Sequence, residues 1–372
     1  MSNPAEICEV ACRGQIFRDW TSVSVTRSVD AAVTEFRLTV AELSKGGGWG
    51  ALKLRPGDEV SIVLAGHKVA KGLIYVRQAA LTGTSHAVML QGASLTMELV
   101  IASHVAKGGQ YKGYTFEQIA NAVVQPFGIS FQWANMPDEA SKPFRDPQTF
   151  IGETAFQLLE RLARQRGIKL HDDENGNLVG DDVKADSGTQ TAMLEEGKNI
   201  VAINAMVQDL MQYSKIGAIG QQKGDDDIWG KDASEVKAEA ENPAVKRHRP
   251  LMFLAEEPSS KKDLQARVDR EVEERNWTAV QVQVVVQGWL KPDGGLWRVL
   301  DRVSLKSPST IPTSDGRINL FVRSVTFSQT ADAPGTITTL ELCLRVPSQT
   351  GGTDAGSPNV LDSETKPAEP VT

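Results

Sequence analysis

Cys8 and Cys12 stand four residues apart, on one face of either a strand or a helix, and two thiolates at that spacing are half of a zinc site. Two further ligands would have to lie nearby, and the local sequence supplies none. Cys343 brings the count to three, too few and too odd for a disulfide framework, so buried or idle thiols are expected. His67, His86, His104, His171 and His248 are scattered, with no H-E-x-x-H or comparable ligand spacing. Gly46-Gly47-Gly48-Trp49-Gly50-Ala51 has the letters of a dinucleotide fingerprint, but Leu52 to Gly57 continue it as strand and turn instead of the phosphate-facing helix, and a flexible loop is expected. A calcium loop with its glycine at Gly176 would need an acid where His171 stands, and one at Gly230 would put Trp229 at a ligand position. Gly92-Ala93-Ser94-Leu95-Thr96 begins like a nucleophile elbow without its closing glycine. With 47 acidic residues, a carboxylate pair for glycoside cleavage could be drawn from almost any two, so acid content singles out none. Trp289 and Trp297 bracket a tight turn, and Trp229 and Trp277 lie in or near loops; a sugar or protein contact is open to them, but packing across a hairpin is the plainer expectation. No cofactor and no metal is expected.

The elements that would have to position any site are mostly strands. Phe36, Leu38 and Val40 alternate, as do Val60, Ile62 and Leu64, with Arg55-Pro56-Gly57-Asp58 as a turn and Ala65-Gly66-His67-Lys68 as a hairpin connection. Helices interrupt this. Thr115 and Gln118 have capping-box spacing before Ile119, Val123 and Phe127; a second amphipathic helix runs from about Gly152 to Arg166 and stops at Gly167. Asp172 to Asn177 form a polar turn into Leu178-Val179. Strand character returns from Asn199 to Gln221, and Ser260 and Asp263 cap a third helix. Val280, Val282, Val284 and Val286 alternate strictly, followed by the turn Lys291 to Gly295 and strands over Trp297–Leu305, Ile318–Phe327 and Ile337–Val346.

Length and composition, 40% hydrophobic and 23% charged, suit a globular chain of two or three domains. A net charge of −7 disfavours affinity built on neutralising phosphates. No apolar run approaches the ~18–20 residues that cross a bilayer, and Met1 to Glu9 lack a basic segment followed by an apolar one, so stable membrane insertion is not expected and the chain should be made in cytoplasm. The expected architecture is mainly β with α+β insertions: an N-terminal β-barrel-like domain at 1–100; a small α+β domain at 101–198; a second, similar antiparallel β-barrel-like domain at 199–346, with a polar insertion at 222–246 and one helix at 259–277; and a disordered tail at 347–372.

In order and spacing, several stretches resemble the baseplate hub proteins of Mu-like contractile phage tails, the P-type tail proteins. They are Leu54-Arg55-Pro56-Gly57-Asp58-Glu59-Val60 with Lys71-Gly72-Leu73-Ile74, Phe116-Glu117-Gln118-Ile119-Ala120 with Pro126-Phe127-Gly128-Ile129, and Gly152 to Ala163. Glu174-Asn175-Gly176-Asn177-Leu178, Arg247-His248-Arg249-Pro250-Leu251, Gln287-Gly288-Trp289 and Asp293-Gly294-Gly295-Leu296-Trp297 complete the set. The resemblance implies a non-enzymatic structural protein of the virion, assembled in the host bacterial cytoplasm. It implies a homotrimer whose two similar domains per chain make a pseudo-sixfold ring. That ring would join the tail tube and other baseplate proteins to the central spike, with DNA passing through its channel without specific binding. Arg247, Arg249, Trp289 and Trp297 are the candidate interface residues. The competing classes are a tail-associated cell-wall hydrolase, which needs a cleft with an acid pair or metal, and a carbohydrate-binding module, which needs exposed coplanar tryptophans.

Overall fold

A computed structural model describes residues 6–29, 31–41, 53–81, 86–105, 111–145, 147–182, 190–221, 235–255, 260–277, 279–330 and 335–344. The chain folds as two compact units, one drawn from residues 1–185, 285–300 and 323–340, the other from 186–284, 301–322 and 341–372. The glycine-rich stretch at 46–51, the triple aspartate at 225–227 and the tail from Pro347 lie outside the described residues.

Seven strands open the first unit: β1 (Cys8–Cys12), β2 (Gln15–Phe17), β3 (Ser22–Ser28), β4 (Ala31–Ala41), β5 (Glu59–Leu64), β6 (His67–Leu81) and β7 (His86–Ser94). All their pairings are antiparallel, in the order β3-β4-β7-β6-β5-β1-β2. The two alternating sets bury as the pattern dictates, Phe36, Leu38 and Val40 on β4 and Val60, Ile62 and Leu64 on β5. β5 and β6 are joined by two residues only, Ala65 and Gly66, both at positive φ (49° and 81°), which matches the right-handed twist of the flanking strands. Tyr75 is the extra residue of a bulge in β6, between the pairs Ile74–Gly92 and Val76–Gln91, and its hydroxyl bonds Glu98 Oε1 at 3.0 Å.

The chain then builds α1 (Met97–Ile101), α2 (Phe116–Val124), β8 (Phe131–Trp133), α3 (Ala155–Arg166), β9 (Ile168–Asp172) and β10 (Leu178–Asp182). The expected capping box forms at Thr115, and a second is found at Thr154: the two threonines accept from the N–H groups of Gln118 and Gln157, whose side chains accept in return. Gly167, at φ 68°, ends α3 as its left-handed stop. Phe116, Ile119 and Val123 of α2 pack with Leu158, Leu159 and Leu162 of α3 over the sheet β8-β10-β9. Asp172 ties this layer to β3 and β4, accepting from the Thr34 N–H at 2.8 Å while its carbonyl takes Arg27 Nη2 at 2.7 Å.

The second unit contains β11 (Gln190–Glu195), β12 (Ala202–Val207), β13 (Lys215–Gly220), β14 (Val236–Glu241), β15 (Pro250–Leu254) and α4 (Lys261–Trp277). β13 pairs antiparallel with β14 and parallel with β15, and α4 covers the small sheet with Leu264 and Val268 against Ile216, Ala218 and Ala238. Beside this stripe α4 carries the half-buried Arg267–Glu271 and Glu271–Arg275 ion pairs, and Arg270 is buried. The last strands are β16 (Val280–Gln287), β17 (Arg302–Lys306), β18 (Arg317–Thr330) and β19 (Thr336–Cys343). β11 pairs parallel with β17, β17 antiparallel with β18, and β12 pairs with β16. Along β16, Val280, Val282, Val284 and Val286 are buried, and Gln281 and Gln283 are not.

The protein is mostly β, with large antiparallel sheets and few helices, but several details differ from the sequence reading. In the first unit the strand path ends at β2 and, among the described residues, does not return to close a barrel. The segment 222–246 includes β14, because Val236 and Ala238 face inward while Lys237, Glu239 and Glu241 face water. Strand structure begins at Arg302 instead of Trp297, since Leu300 adopts φ 67° and interrupts extension. The region 199–346 contributes to both units, and β11 falls within the stretch read as α+β.

Candidate functional site

Arg249 is a half-buried organiser of the loop between β12 and β13. Its Nη1 donates to the carbonyl oxygens of Asp209 (2.5 Å) and Gln212 (3.3 Å), and its backbone exchanges two 2.9 Å hydrogen bonds with Ser214. Arg247 is exposed and pairs with the Asp209 carboxylate. Beneath the loop, Asn276 Oδ1 accepts from Asn242 Nδ2 (2.9 Å) and Gln212 Nε2 (3.2 Å), and the Arg275 guanidinium lies over the Tyr213 ring. A loop satisfied in this way is fixed. What it presents to solvent is apolar: Leu210 is 71% exposed, Met211 is also exposed, and Val201, Met206 and Val207 on and beside β12 are exposed with them. A fixed, partly apolar surface flanked by an ion-paired arginine is suited to binding protein.

Trp289 and Trp297 lie in the other unit, and both are buried. Trp289 donates Nε1–H to the Ser328 carbonyl at 3.2 Å, and its backbone N–H goes to Glu6 Oε1 at 2.8 Å. Gly288 explains the Gln287-Gly288-Trp289 motif: at φ 80° it has no Cβ, and a Cβ there would sit 2.4 Å from that Glu6 oxygen. The turn between the tryptophans is closed by Leu290–Leu296 bridging and by a 2.7 Å bond from Lys291 N–H to the Gly295 carbonyl. Both indoles are thus buried within the unit, Trp289 bonded to β18 through the Ser328 carbonyl. The loop that Arg247 and Arg249 hold exposes Leu210 and Met211, and β12 before it exposes Met206 and Val207, residues that sequence reasoning did not single out. The available signal was an uncharged run, Ile200 to Gln208, on a strand with no buried face.

The first unit has a second fixed apolar projection. Arg161 and Glu153, both under 10% exposed, form a two-pronged ion pair at 2.9 and 3.0 Å, and Arg161 Nη2 also holds the Gln148 carbonyl at 2.7 Å. Above the guanidinium, 4.7 Å from it, lies the Phe150 ring; Phe150 and its neighbour Ile151 are exposed.

Groups with chemical potential are placed otherwise. Cys8, Cys12 and Cys343 are buried and unbridged, and burial pushes the Cys8 thiol up to about 12. A hollow of about 350 Å³ on the β3-β4-β7-β6 face is lined by Glu35, Arg37, Tyr75 and Gln91, with Glu35 the one carboxylate in its wall. No helix among the described residues is long and apolar enough to cross a membrane.

Comparison with known proteins gives consistent matches. Residues 7–94 match the family described as Mu phage baseplate assembly protein GpP-like, N-terminal, and residues 96–180 that described as baseplate hub protein gp44-like, second domain. Over 288 residues the chain is 30% identical to the baseplate hub protein gp44 of Escherichia phage Mu, covering 76% of this chain and 74% of that protein. The crystal structure of a 43 kDa tail protein from prophage MuSo2 of Shewanella oneidensis superimposes with a TM-score of 0.77 at 26% identity, covering 91% of this chain and 98% of the other. A tail protein from Neisseria meningitidis MC58 shares the fold, with a TM-score of 0.75 at 19% identity over 91% and 96% of the two chains.

Proposed function

This chain belongs to the family of Mu-like phage baseplate hub proteins, and on that premise we propose that it works as a homotrimeric symmetry adaptor at the centre of the baseplate. As a baseplate hub protein it is a structural component of the virion tail. The observation that carries the proposal is the 30% identity to a phage Mu hub protein over about three quarters of both chains.

The mechanism is geometric. A tube of sixfold rings meets a threefold spike with half its contacts unmatched, and unmatched apolar or desolvated polar surface is costly. Three chains that each supply two similar domains offer six near-equivalent positions to the tube and three to the spike. The adaptor acts without catalysis and is assembled in the host cytoplasm. The net charge of −7 favours a bore that is neutral or negative, through which DNA passes without sticking. Light scattering on the purified full chain tests this: a mass three times that of the chain, and threefold rings by electron microscopy, are expected. A monomer at high protein concentration refutes the trimer, and cleavage of purified peptidoglycan refutes the non-enzymatic role.

A further inference from the structure

We infer that Asn175 is a site of spontaneous deamidation, and that Lys68 and Asp173 hold the reaction off while the protein is folded.

Asn175-Gly176 is the one Asn-Gly pair in the sequence. Such a pair is chemically weak, because no Cβ on the second residue hinders its backbone nitrogen from attacking the asparagine Cγ. The new N–Cγ bond closes a succinimide ring and the Cγ–Nδ2 bond breaks. The side-chain amide leaves as ammonia, taking the proton that the glycine N–H gives up. Water then opens the ring at either carbonyl. Breaking the new bond leaves aspartate, whereas breaking the old peptide bond leaves isoaspartate, in which the main chain runs through the former side chain.

In this fold both reacting groups are engaged. The turn from Asp173 to Asn177 joins β9 to β10, and the Gly176 N–H, the nucleophile, donates to the Asp173 carbonyl at 3.2 Å. The Asn175 N–H donates to Asp173 Oδ1 at 2.8 Å. The electrophile is held from another strand: Asn175 Oδ1 accepts from Lys68 Nζ of β6 at 2.7 Å, across 107 residues of sequence. Holding Oδ1 restrains the side-chain rotation, and bonding the Gly176 N–H removes the free amide, that ring closure draws on. Closure therefore proceeds from the opened turn. The Lys68 contact is exposed and adds little to stability, so its effect on the chemistry can be read separately.

The two products differ in what the fold accepts. Aspartate at 175 keeps the backbone as it is and turns the Lys68 contact into an ion pair. Isoaspartate lengthens the main chain by a methylene where there is no room, since even a Cβ on Gly176 would lie 2.7 Å from the Lys71 carbonyl oxygen and 3.0 Å from Leu95 Cγ. The isomer lifts the turn off β6. An assembled virion makes no new chains to replace such damage.

The test incubates the full chain, its Lys68→Met, Lys68→Arg and Lys71→Met variants and a synthetic peptide of residues 171–179 at mildly alkaline pH, and follows conversion of Asn175 by mass spectrometry. The folded chain should react roughly tenfold or more slower than the peptide, because the turn must open first. Lys68→Met should react about threefold faster than the wild type, the effect of one exposed contact. Lys68→Arg still donates and should match the wild type, and Lys71→Met, whose ammonium pairs with Glu59 at 3.1 Å, should change nothing. A folded chain as fast as the peptide overturns the inference. A Lys68→Met variant equal to the wild type, or slower because the ammonium had been activating the amide, overturns the part given to Lys68. Should Lys68→Met melt at the incubation temperature, exchange of the Gly176 amide in the wild type decides: protection supports the inference, and exchange at the rate of the peptide overturns it.

Discussion

Removing one partner of the Arg161–Glu153 pair should cost far more than removing both. The pair is enclosed, each side chain under 10% exposed, and the Glu153 carboxylate accepts from two guanidinium nitrogens and from the Phe150 N–H at 3.3 Å. Glu153→Gln keeps the volume but leaves a desolvated cation without its counter-charge. Breaking a buried pair from one side typically costs about 3–5 kcal/mol, and we expect about 3 here because the Gln148 carbonyl still holds Nη2. That is roughly a hundredfold in the equilibrium for opening α3 and the loop at 148–153. Arg161→Met strands the carboxylate instead and loses the stacking on Phe150, worth about 0.5–1 kcal/mol. The double variant Glu153→Leu with Arg161→Met replaces both charges by apolar groups of similar length and should be no worse than either single change. Because two units need not unfold together, the readout is local: amide exchange in 148–166 by mass spectrometry, with the melting curve as a check. Single variants that each cost under about 1 kcal/mol, or a double variant equal to their sum, would refute the reasoning by showing that the pair behaves as a surface contact.

Three further outcomes are expected. Val282→Asp or Val284→Asp should each destabilise the protein by several kcal/mol, about 3–5, by burying an unpaired carboxylate where the valines are 1% and 0% exposed, and denaturant midpoints that stay in place would overturn the inward register. Ala65→Asn should raise stability by about 0.5–1 kcal/mol, since alanine at φ 49° is strained and Asn-Gly is the preferred pair for this turn; a lower melting temperature would contradict it. The Glu196 carboxyl is held below its ordinary 4.5 by hydrogen bonds from the Ser309 and Ser307 side chains, so these contacts are fully formed above that pH and fade only as pH falls further. A carbon-detected titration should find its midpoint below 4.5, and a midpoint at or above that value counts against the contacts.

Local chemistry made some of this fold legible in the sequence. Thr115 with Gln118 placed one helix start to the residue, and Gly167 placed a stop, because caps are satisfied within one turn of chain; the second helix, read from about Gly152, starts at Ala155 behind a Thr154–Gln157 box that was not singled out. The valines of β16 were equally plain, since strict alternation has one reading when one face is buried. Strand character over 199–221 was legible too and contains β12, but with no buried face that strand shows no period, so its bounds and its place at the end of a sheet were not. β14 read as loop because its inward residues are only Val236 and Ala238, and β15 reaches β13 through a parallel pairing that short-range pattern does not signal. The tryptophans drew attention by residue type, and only the backbone of Gly288 and the carboxylate of Glu6 explain why one of them is inside.

The motifs that carry the family resemblance are, in the structure, joints. Asp58 accepts from the Arg55 N–H at 2.9 Å and is paired with Arg13, while Gly57 and Asp58 exchange backbone hydrogen bonds with Ile74; the Arg-Pro-Gly-Asp stretch thus fixes a turn to β6. Asp173 holds the N–H groups of Asn175 and Asn177 at 2.8 and 2.7 Å, and the Lys68 ammonium reaches Asn175 Oδ1 at 2.7 Å, so Glu-Asn-Gly-Asn fixes another turn to the same strand. Gly288 does the same for Trp289. A joint of this kind accepts few residue types, because it needs particular hydrogen-bond partners and the positive φ of Gly57, Gly176 and Gly288. A protein-binding surface is under a looser constraint, since any apolar side chain of suitable size serves if the partner changes with it. The resemblance is therefore legible in these turns, whereas a protein-binding surface carries no comparable mark of residue type.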